Sequence, residues 1–179
     1  MNIIFKTEHL IARNFEKKDA LYLYKNHLEE EMKKWIPNES YADMEEAQEA
    51  IDFYSNCVNN TKLPYVLAIQ LRNTGELIGD IGVNEVDGRS QEVEIGYSIC
   101  KRYRSKGYAT ELVKGMTEFI VTTFDINTLY GRVLHGNVAS VKVLEKSGYY
   151  FIKEEFGAED DPYGKGMFVY QKQFYADNV

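Results

Sequence analysis

The stretch that decides the fold is Glu94–Thr110, EIGYSICKRYRSKGYAT. Alternating apolar residues at its start, Ile95, Tyr97 and Ile99, predict a half-buried strand. From Ala109 onward the apolar residues recur with the helical period instead, which predicts an amphipathic helix. The stretch is therefore a strand that passes through a short loop directly into a helix.

The loop between this strand and this helix is basic and contains a glycine, Gly107. The first N–H groups of a helix have no intrahelical partner, and the helix dipole places positive charge beside them. Such a turn binds anions, above all phosphate. In a chain of net charge −7, the loop therefore predicts a site for a phosphorylated ligand. Its cations are Lys101, Arg102, Arg104 and Lys106.

A second motif, Asn137–Tyr149 (NVASVKVLEKSGY), predicts a short capped helix. Asn137 suits the N-cap position, and Gly148 suits the left-handed residue that follows a helix. An apolar run at 129–135 precedes it and predicts a strand. The two motifs thus have the same organisation, a strand followed by a helix.

Together the two motifs resemble the GNAT superfamily of N-acetyltransferases. The segment 104–109 (RSKGYA) is similar to the acetyl-CoA pyrophosphate loop of that family, and Asn137–Tyr149 to the segment beside the pantetheine arm. The Glu-Ile-Gly-Tyr sequence at 94–97 resembles the branch that contains the ribosomal-protein N-terminal (alanine/serine) acetyltransferases. The resemblance is specific over residues 77–149.

The resemblance implies acetyl-CoA as cosubstrate and no metal. Backbone N–H groups of residues 105–110 would hold the pyrophosphate, with added charge from Arg104 or Lys106. The backbone at Ile99, where the strand pair is expected to open, would meet the pantetheine arm or the acetyl oxygen. The expected contacts are Ile99, Arg104, Ser105, Lys106, Gly107, Tyr108, Ala109, Thr110 and Asn137.

In the family a neutral amine attacks the thioester directly, which requires a base for the amine and an acid for the departing thiolate. Glu94 is the first candidate for the base and Glu85 the second, although each is equally explained as a solvent-facing carboxylate. Leu144 occupies the position of the family's usual acid, a tyrosine. Ser140 is the available substitute, unless its hydroxyl only caps the helix or binds the backbone.

Composition predicts a single domain spanning residues 1–179, with 44% hydrophobic and 27% charged residues. Cys57 and Cys100 are isolated, and neither they nor the three histidines have metal-ligand spacing. No apolar run approaches the roughly 18–20 residues of a membrane span. Without a recognisable signal peptide, we expect a cytoplasmic monomer or homodimer that does not contact the membrane.

Periodicity elsewhere gives the order βααβββαβαββ, an α/β (α+β) fold. The central sheet should be mixed, mostly antiparallel and of about seven strands, with helices on both faces. The expected elements are a strand at 3–13, helices at about 16–30 and 41–59, strands at 65–71, 77–84 and up to 99, a helix from 109, a strand at 129–135, a helix at 137–148 and a closing hairpin of 153–156 with 167–174.

Other function classes fit less well. The chain has no P-loop motif and no G-x-G-x-x-G after a strand, so nucleotide binding of those types is disfavoured. Its acidic balance disfavours nucleic acid, because phosphate contacts dominate such binding. A non-catalytic module that only binds acetyl-CoA remains the alternative to an enzyme.

The acceptor amine stays open between a protein N-terminus and a small molecule. Trp35 and Tyr41 are candidate walls of its pocket, although Trp35 fits at least as well in the core. The acidic run within Glu154–Asp161 would attract a cationic amine, or is simply a solvated loop.

Overall fold

An eight-stranded sheet forms the centre of the computed structural model, which describes residues 1–175. The strands are β1 (Ile3–Lys6), β2 (Leu10–Arg13), β3 (Tyr65–Leu71), β4 (Leu77–Val86), β5 (Arg89–Ile99), β6 (Thr128–Leu134), β7 (Tyr150–Glu155) and β8 (Met167–Gln173). The helices are α1 (Ala20–His27), α2 (Glu30–Trp35), α3 (Met44–Asn59), α4 (Tyr108–Thr123) and α5 (Val138–Lys146). Among these helices, none is long and apolar enough to cross a membrane.

The strands lie in the order β1-β2-β3-β4-β5-β6-β8-β7, and each neighbouring pair is antiparallel except β5 with β6. This confirms the mixed, mostly antiparallel sheet. It has one strand more than expected, because residues 3–13 form a hairpin. The polar residues Lys6–His9 interrupt the apolar alternation there, and the Thr7 amide donates to the Leu10 carbonyl across the turn (3.0 Å).

The single helix expected at about 16–30 is wrong. Helix α1 ends at His27, Glu29 is extended (ψ 136°), and a second helix, α2, begins at Glu30, where the expected helix should end, and runs to Trp35. The break brings the carboxylates of Glu29 and Glu31 to the guanidinium of Arg104. Because Arg104 lies far along the chain, the local sequence gives no signal for this corner.

Alternating residues of β5 face two different environments, as the period of a strand requires. Ile95 and Ile99 pack in the larger core, together with Leu112 of α4. Ser98 faces the opposite side of the sheet, where Asn26 of α1 donates its amide N–H to the Ser98 hydroxyl (3.0 Å). Helices α4 and α5 therefore cover one face, and α1 and α3 cover the other.

A buried ion pair joins β2 to the turn before α1. Arg13 Nη1 lies 2.6 Å from Asp19 Oδ2, and the two side chains are only 3% and 5% exposed. Arg13 Nε also donates to Gln70 Oε1 on β3 (2.8 Å), and the Glu16 amide donates to the Asp19 carboxylate (2.8 Å). Such a pair depends on both partners, because either charge alone would be buried without compensation.

The substitution Asp19→Asn should lower the free energy of unfolding by about 3–5 kcal/mol, because the Arg13 guanidinium loses its counter-charge. Urea denaturation followed by circular dichroism measures the change. Glu92→Gln is the matched control, since it disrupts the exposed Arg89–Glu92 pair (2.8 Å) and should affect stability far less. Equal losses in the two variants would contradict the role given to burial.

Candidate functional site

The parallel strands β5 and β6 pair over a short distance only. Their register runs from Glu92–Thr128 to Glu94–Tyr130, and beyond it the strands separate around a cavity of about 780 Å³. The opening thus begins at Glu94, earlier than the expected position at Ile99. The reason is that β5 follows β4 as far as Ile99, while β6 follows β8 on its other side.

The cavity is bordered by both open strands, the loop before α4, helix α5 and the segment around α2. Lys106 and Glu85 are not among its lining residues. Within residues 1–175, no three His, Cys, Asp or Glu side chains are grouped to hold a metal ion. The sequence-predicted residues that do line the cavity are Glu94, Ile99, Arg104, Ser105, Gly107, Tyr108, Ala109, Thr110, Asn137 and Ser140.

The N-terminus of α4 opens into this cavity without a side-chain cap. Gly107 is its N-cap residue and has a φ of +87°, and Ser105 shortly before it also has a positive φ of 60°. A Cβ at Gly107 would meet no atom within 4 Å, so the backbone is open to an approaching ligand. Left-handed residues and free helix N–H groups together form a concave anion site.

The cations of the loop contribute less to this site than the sequence suggests. Arg104 donates from Nε to the Ile99 carbonyl (2.7 Å), and its Nη atoms pair with Glu29 (3.5 Å) and Glu31. Lys106 is exposed beside the cavity rather than in it. Arg104 therefore braces the loop against α2, and the backbone N–H groups at the uncapped N-terminus of α4 are the donors that face the cavity.

Helix α5 lines the cavity opposite α4. Asn137 is its N-cap residue, accepting from the Ser140 amide (3.2 Å), so the capping role is filled without the Ser140 hydroxyl. Leu144 is 2% exposed and belongs to the core. A Cβ at Gly131 would lie 2.7 Å from its δ carbons, which shows how tightly this site is packed. Of Asn137, Ser140 and Leu144, only Ser140 carries a hydroxyl, and this hydroxyl is not needed to cap the helix.

Glu94 lies at the start of the opening, in a cluster of charges around Arg132. The Arg132 guanidinium contacts Glu155 (2.8 Å) and Asp160 (2.7 Å) and lies 3.9 Å from Glu94. Burial raises the pKa of Glu94 to about 7; Arg132 opposes the rise, and Asp160 and Glu155 add to it. A carboxylate with a pKa near neutrality can both accept and release a proton.

The second candidate base, Glu85, is exposed and stands outside the cavity. A carboxylate that the sequence did not single out, Glu39, lines the cavity instead. Glu39 is exposed at the cleft, and desolvation by nearby protein atoms raises the pKa of its carboxyl group, with Asp80 adding to the rise. Its backbone carbonyl accepts a hydrogen bond from His27, which holds the loop in place.

Of the residues expected to form the pocket of the acceptor amine, some line the cavity and others do not. Trp35 lines the cavity and packs near Gly136, where a Cβ would lie 3.5 Å from its ring, whereas Tyr41 does not line it. Asp160 lines the cavity as well. The neighbouring Asp161 closes the turn before β8 by accepting from the Gly166 amide (2.7 Å). The acidic run therefore contributes partly to the cavity wall, at Asp160, and partly to the turn, at Asp161.

Comparison with known proteins agrees with this geometry. Residues 9–150 match the family model of the acetyltransferase (GNAT) domain. The N-acetyltransferase p20 of Bacillus licheniformis, itself uncharacterized, is 27% identical over 146 residues, which cover 80% of this chain and 80% of that protein.

Two solved structures share the fold. RimL, a ribosomal-protein N-acetyltransferase in complex with coenzyme A, aligns with a TM-score of 0.82 at 17% identity, over 98% of this chain and 100% of its own. MccE, a microcin self-immunity acetyltransferase in complex with acetyl-CoA and AMP, aligns with a TM-score of 0.80 at 17% identity, over 93% of each chain. At these identities the likeness concerns the fold.

Removing the guanidinium beside Glu94 should shift its titration. The Arg132→Gln variant should raise the pKa of Glu94 above about 7, because the cation that opposes protonation is lost. Carboxyl ¹³C NMR measures this, with the Glu94 signal assigned from its loss in Glu94→Gln. Arg72→Gln removes the same charge outside the cavity lining and should leave the titration unchanged. A lowered pKa in Arg132→Gln would contradict the assigned electrostatics.

Proposed function

Because the chain belongs to the GNAT acetyltransferase family, we propose that it moves the acetyl group of acetyl-CoA directly to a primary amine. The observation that carries this proposal is the open strand pair β5–β6. Its cavity extends from the uncapped N-terminus of α4 to the Glu94 carboxylate. One end suits a diphosphate and the other suits proton transfer from an amine.

The proposed cosubstrate fits two sets of unused backbone groups. The N–H groups of residues 105–110 would bind the pyrophosphate of acetyl-CoA. The edge of β5 from Ile95 to Ile99, unpaired with β6, would bind the amides of the pantetheine arm as an added strand does. The complexes of RimL with coenzyme A and of MccE with acetyl-CoA, on the same fold, support this cosubstrate.

Glu94 is the proposed base. An ammonium group cannot attack a thioester, so the acceptor must lose a proton before or during attack. With a pKa of about 7, Glu94 holds a substantial fraction of carboxylate at neutral pH and is basic enough to take that proton. The rate should accordingly rise with pH through this value, as Glu94 loses its own proton.

Ser140 is the proposed contact for the departing thiolate. Its side chain lines the cavity from α5, which covers the face of the sheet opposite α1. Asn137 holds the first turn of that helix through the Ser140 amide (3.2 Å) and thereby fixes the position of the serine. Proton removal and proton return would then occur on opposite sides of the opening.

The acceptor is an amine on a protein N-terminus or on a small molecule. Glu39, Glu94 and Asp160 line its end of the cavity with Arg132 as the counter-charge, an excess of carboxylates that favours an ammonium group. RimL, which acts on a ribosomal protein, supports a peptide N-terminus. Release of coenzyme A thiol with peptides, polyamines and aminoglycosides as acceptors would identify the class, and no release with any of them would contradict an acetyltransferase of amines.

Acetyl-CoA binding should depend on the open space at Gly107. Gly107→Val places a side chain where the pyrophosphate is proposed to lie, so the affinity measured by calorimetry should fall by about tenfold or more. Gly88→Val is the matched control, because Gly88 also has a positive φ (+73°) and open surroundings but lies in the β4–β5 turn. The two variants share the backbone strain, and equal affinities would place the phosphate site elsewhere.

The turnover number kcat should distinguish the two candidate bases, Glu94 and Glu85. Glu94→Gln keeps the shape and removes the basicity, so kcat should fall by about 10²–10⁴-fold while acetyl-CoA still binds. The defect should shrink as pH rises, since more of the acceptor is then already neutral. Glu85→Gln, which alters an exposed carboxylate outside the cavity, should have near-normal kcat. Normal turnover in Glu94→Gln would leave water as the proton acceptor.

A further inference from the structure

The opening between β5 and β6 presents different chemistry on its two faces. Glu94 and Arg132 meet on one face of the sheet. Tyr97 is three residues from Glu94 along β5, so its side chain lies on the other face of the sheet, where it packs with the core under α4 and α5. The side of the cavity near α5 therefore holds two hydroxyls, those of Tyr97 and Ser140, while the carboxylates lie on the other side.

The hydroxyl of Tyr97 is in an unusual state. Its oxygen is buried and has no hydrogen-bond partner among the described residues. The Ser140 hydroxyl is close enough to lower the pKa of Tyr97, although the two hydroxyls do not meet the geometry of a hydrogen bond. A buried polar group without a partner lowers stability, so its presence in a cavity wall calls for a functional reason.

Ser140 by itself is a poor source for the proton that the thiolate needs. An aliphatic hydroxyl that gives up its proton becomes an alkoxide, which a less basic thiolate cannot generate. The position of the family-like tyrosine acid is Leu144, which is 2% exposed and supplies no proton. A second acid next to Ser140 would supply that proton, and Tyr97 is the adjacent phenol that also lines the cavity.

We propose that Tyr97 is the proton source for the leaving thiolate, relayed through Ser140. The inference rests on the proposed function. As the C–S bond breaks, its electron pair stays on sulfur, which takes the proton of the Ser140 hydroxyl. Ser140 in turn takes the proton of Tyr97, and the phenolate left behind regains a proton from water. The proton removed from the amine leaves separately through Glu94.

Burial raises the pKa of Tyr97 to about 12, with Ser140 opposing the rise. The phenol is consequently protonated throughout the pH range in which Glu94 becomes a base. Desolvation thus raises the pKa at both places, making Glu94 more basic on one face and keeping Tyr97 protonated on the other.

A double-mutant cycle tests the relay. Tyr97→Phe and Ser140→Ala should each lower kcat by about 10²-fold or more, with little change in the Kd of acetyl-CoA. If the two hydroxyls act in series, the double variant should be no slower than the worse single variant. Losses that multiply, or a normal kcat in either single variant, would overturn the relay.

Tyr149→Phe is the control for loss of a buried phenol. Tyr149 is 3% exposed, does not line the cavity, and bonds to the Thr117 hydroxyl (2.8 Å). Removing its hydroxyl should affect stability more than kcat. A kcat loss equal to that of Tyr97→Phe would assign both effects to packing.

A donor with a different leaving group distinguishes a defect in proton transfer from a defect in packing. The acetyl thioester of a nitrothiophenol releases a thiolate that needs no proton, so with this donor Tyr97→Phe and Ser140→Ala should approach the wild-type rate of amine acetylation. In a variant whose Kd for acetyl-CoA is unchanged, a loss that persists with this donor would overturn the proposal. Failure of the wild-type protein to acetylate any amine would instead overturn the proposed function itself.

Discussion

The rest of the site depends on one constraint, the short parallel pairing of β5 with β6. Each strand completes its ladder with an antiparallel neighbour on its far side, β4 or β8, and the two neighbours lead them apart beyond Glu94. Backbone groups on the facing edges are then without strand partners inside the protein. Buried N–H and C=O groups require hydrogen bonds, so the fold leaves a demand that an extended ligand with amides satisfies.

The ends of the resulting cavity differ in electrostatic character because different groups are left uncompensated. At α4 the uncompensated groups are backbone donors, since Arg104 is bound to Glu29 and Glu31. At the other end they are carboxylates, since one guanidinium, Arg132, serves three of them. A molecule with an anionic tail and an acyl group that meets an ammonium acceptor matches this polarity from one end to the other.

Local signals in the sequence predicted those parts of the site that local geometry determines. The left-handed conformation of Gly148 (φ 83°) and the cap formed by Asn137 follow from residues within a few positions. Contacts between distant segments could not be predicted in this way. The pairing of Arg104 with α2, the exposed position of Glu85 outside the cavity and the approach of Glu39 depend on how separate elements pack. The hairpin at 3–13 is a different case. The polar residues of its turn are visible in the sequence, but the apolar residues on both sides of the turn led to the prediction of one continuous strand.

The acceptor end is supported from the face of the sheet that α1 covers. His27 donates from Nδ1 to the Glu39 carbonyl and lies 3.6 Å from Asp80, which also accepts from the Ser98 hydroxyl (2.6 Å). Burial lowers the pKa of His27, but the Asp80 carboxylate outweighs it and the net shift is upward. The wall that carries Glu39 thus depends on a polar network separate from α4 and α5. Because the proposed cosubstrate and acceptor sites are supported from opposite faces, the acceptor wall could change in sequence while the proposed acetyl-CoA site is retained.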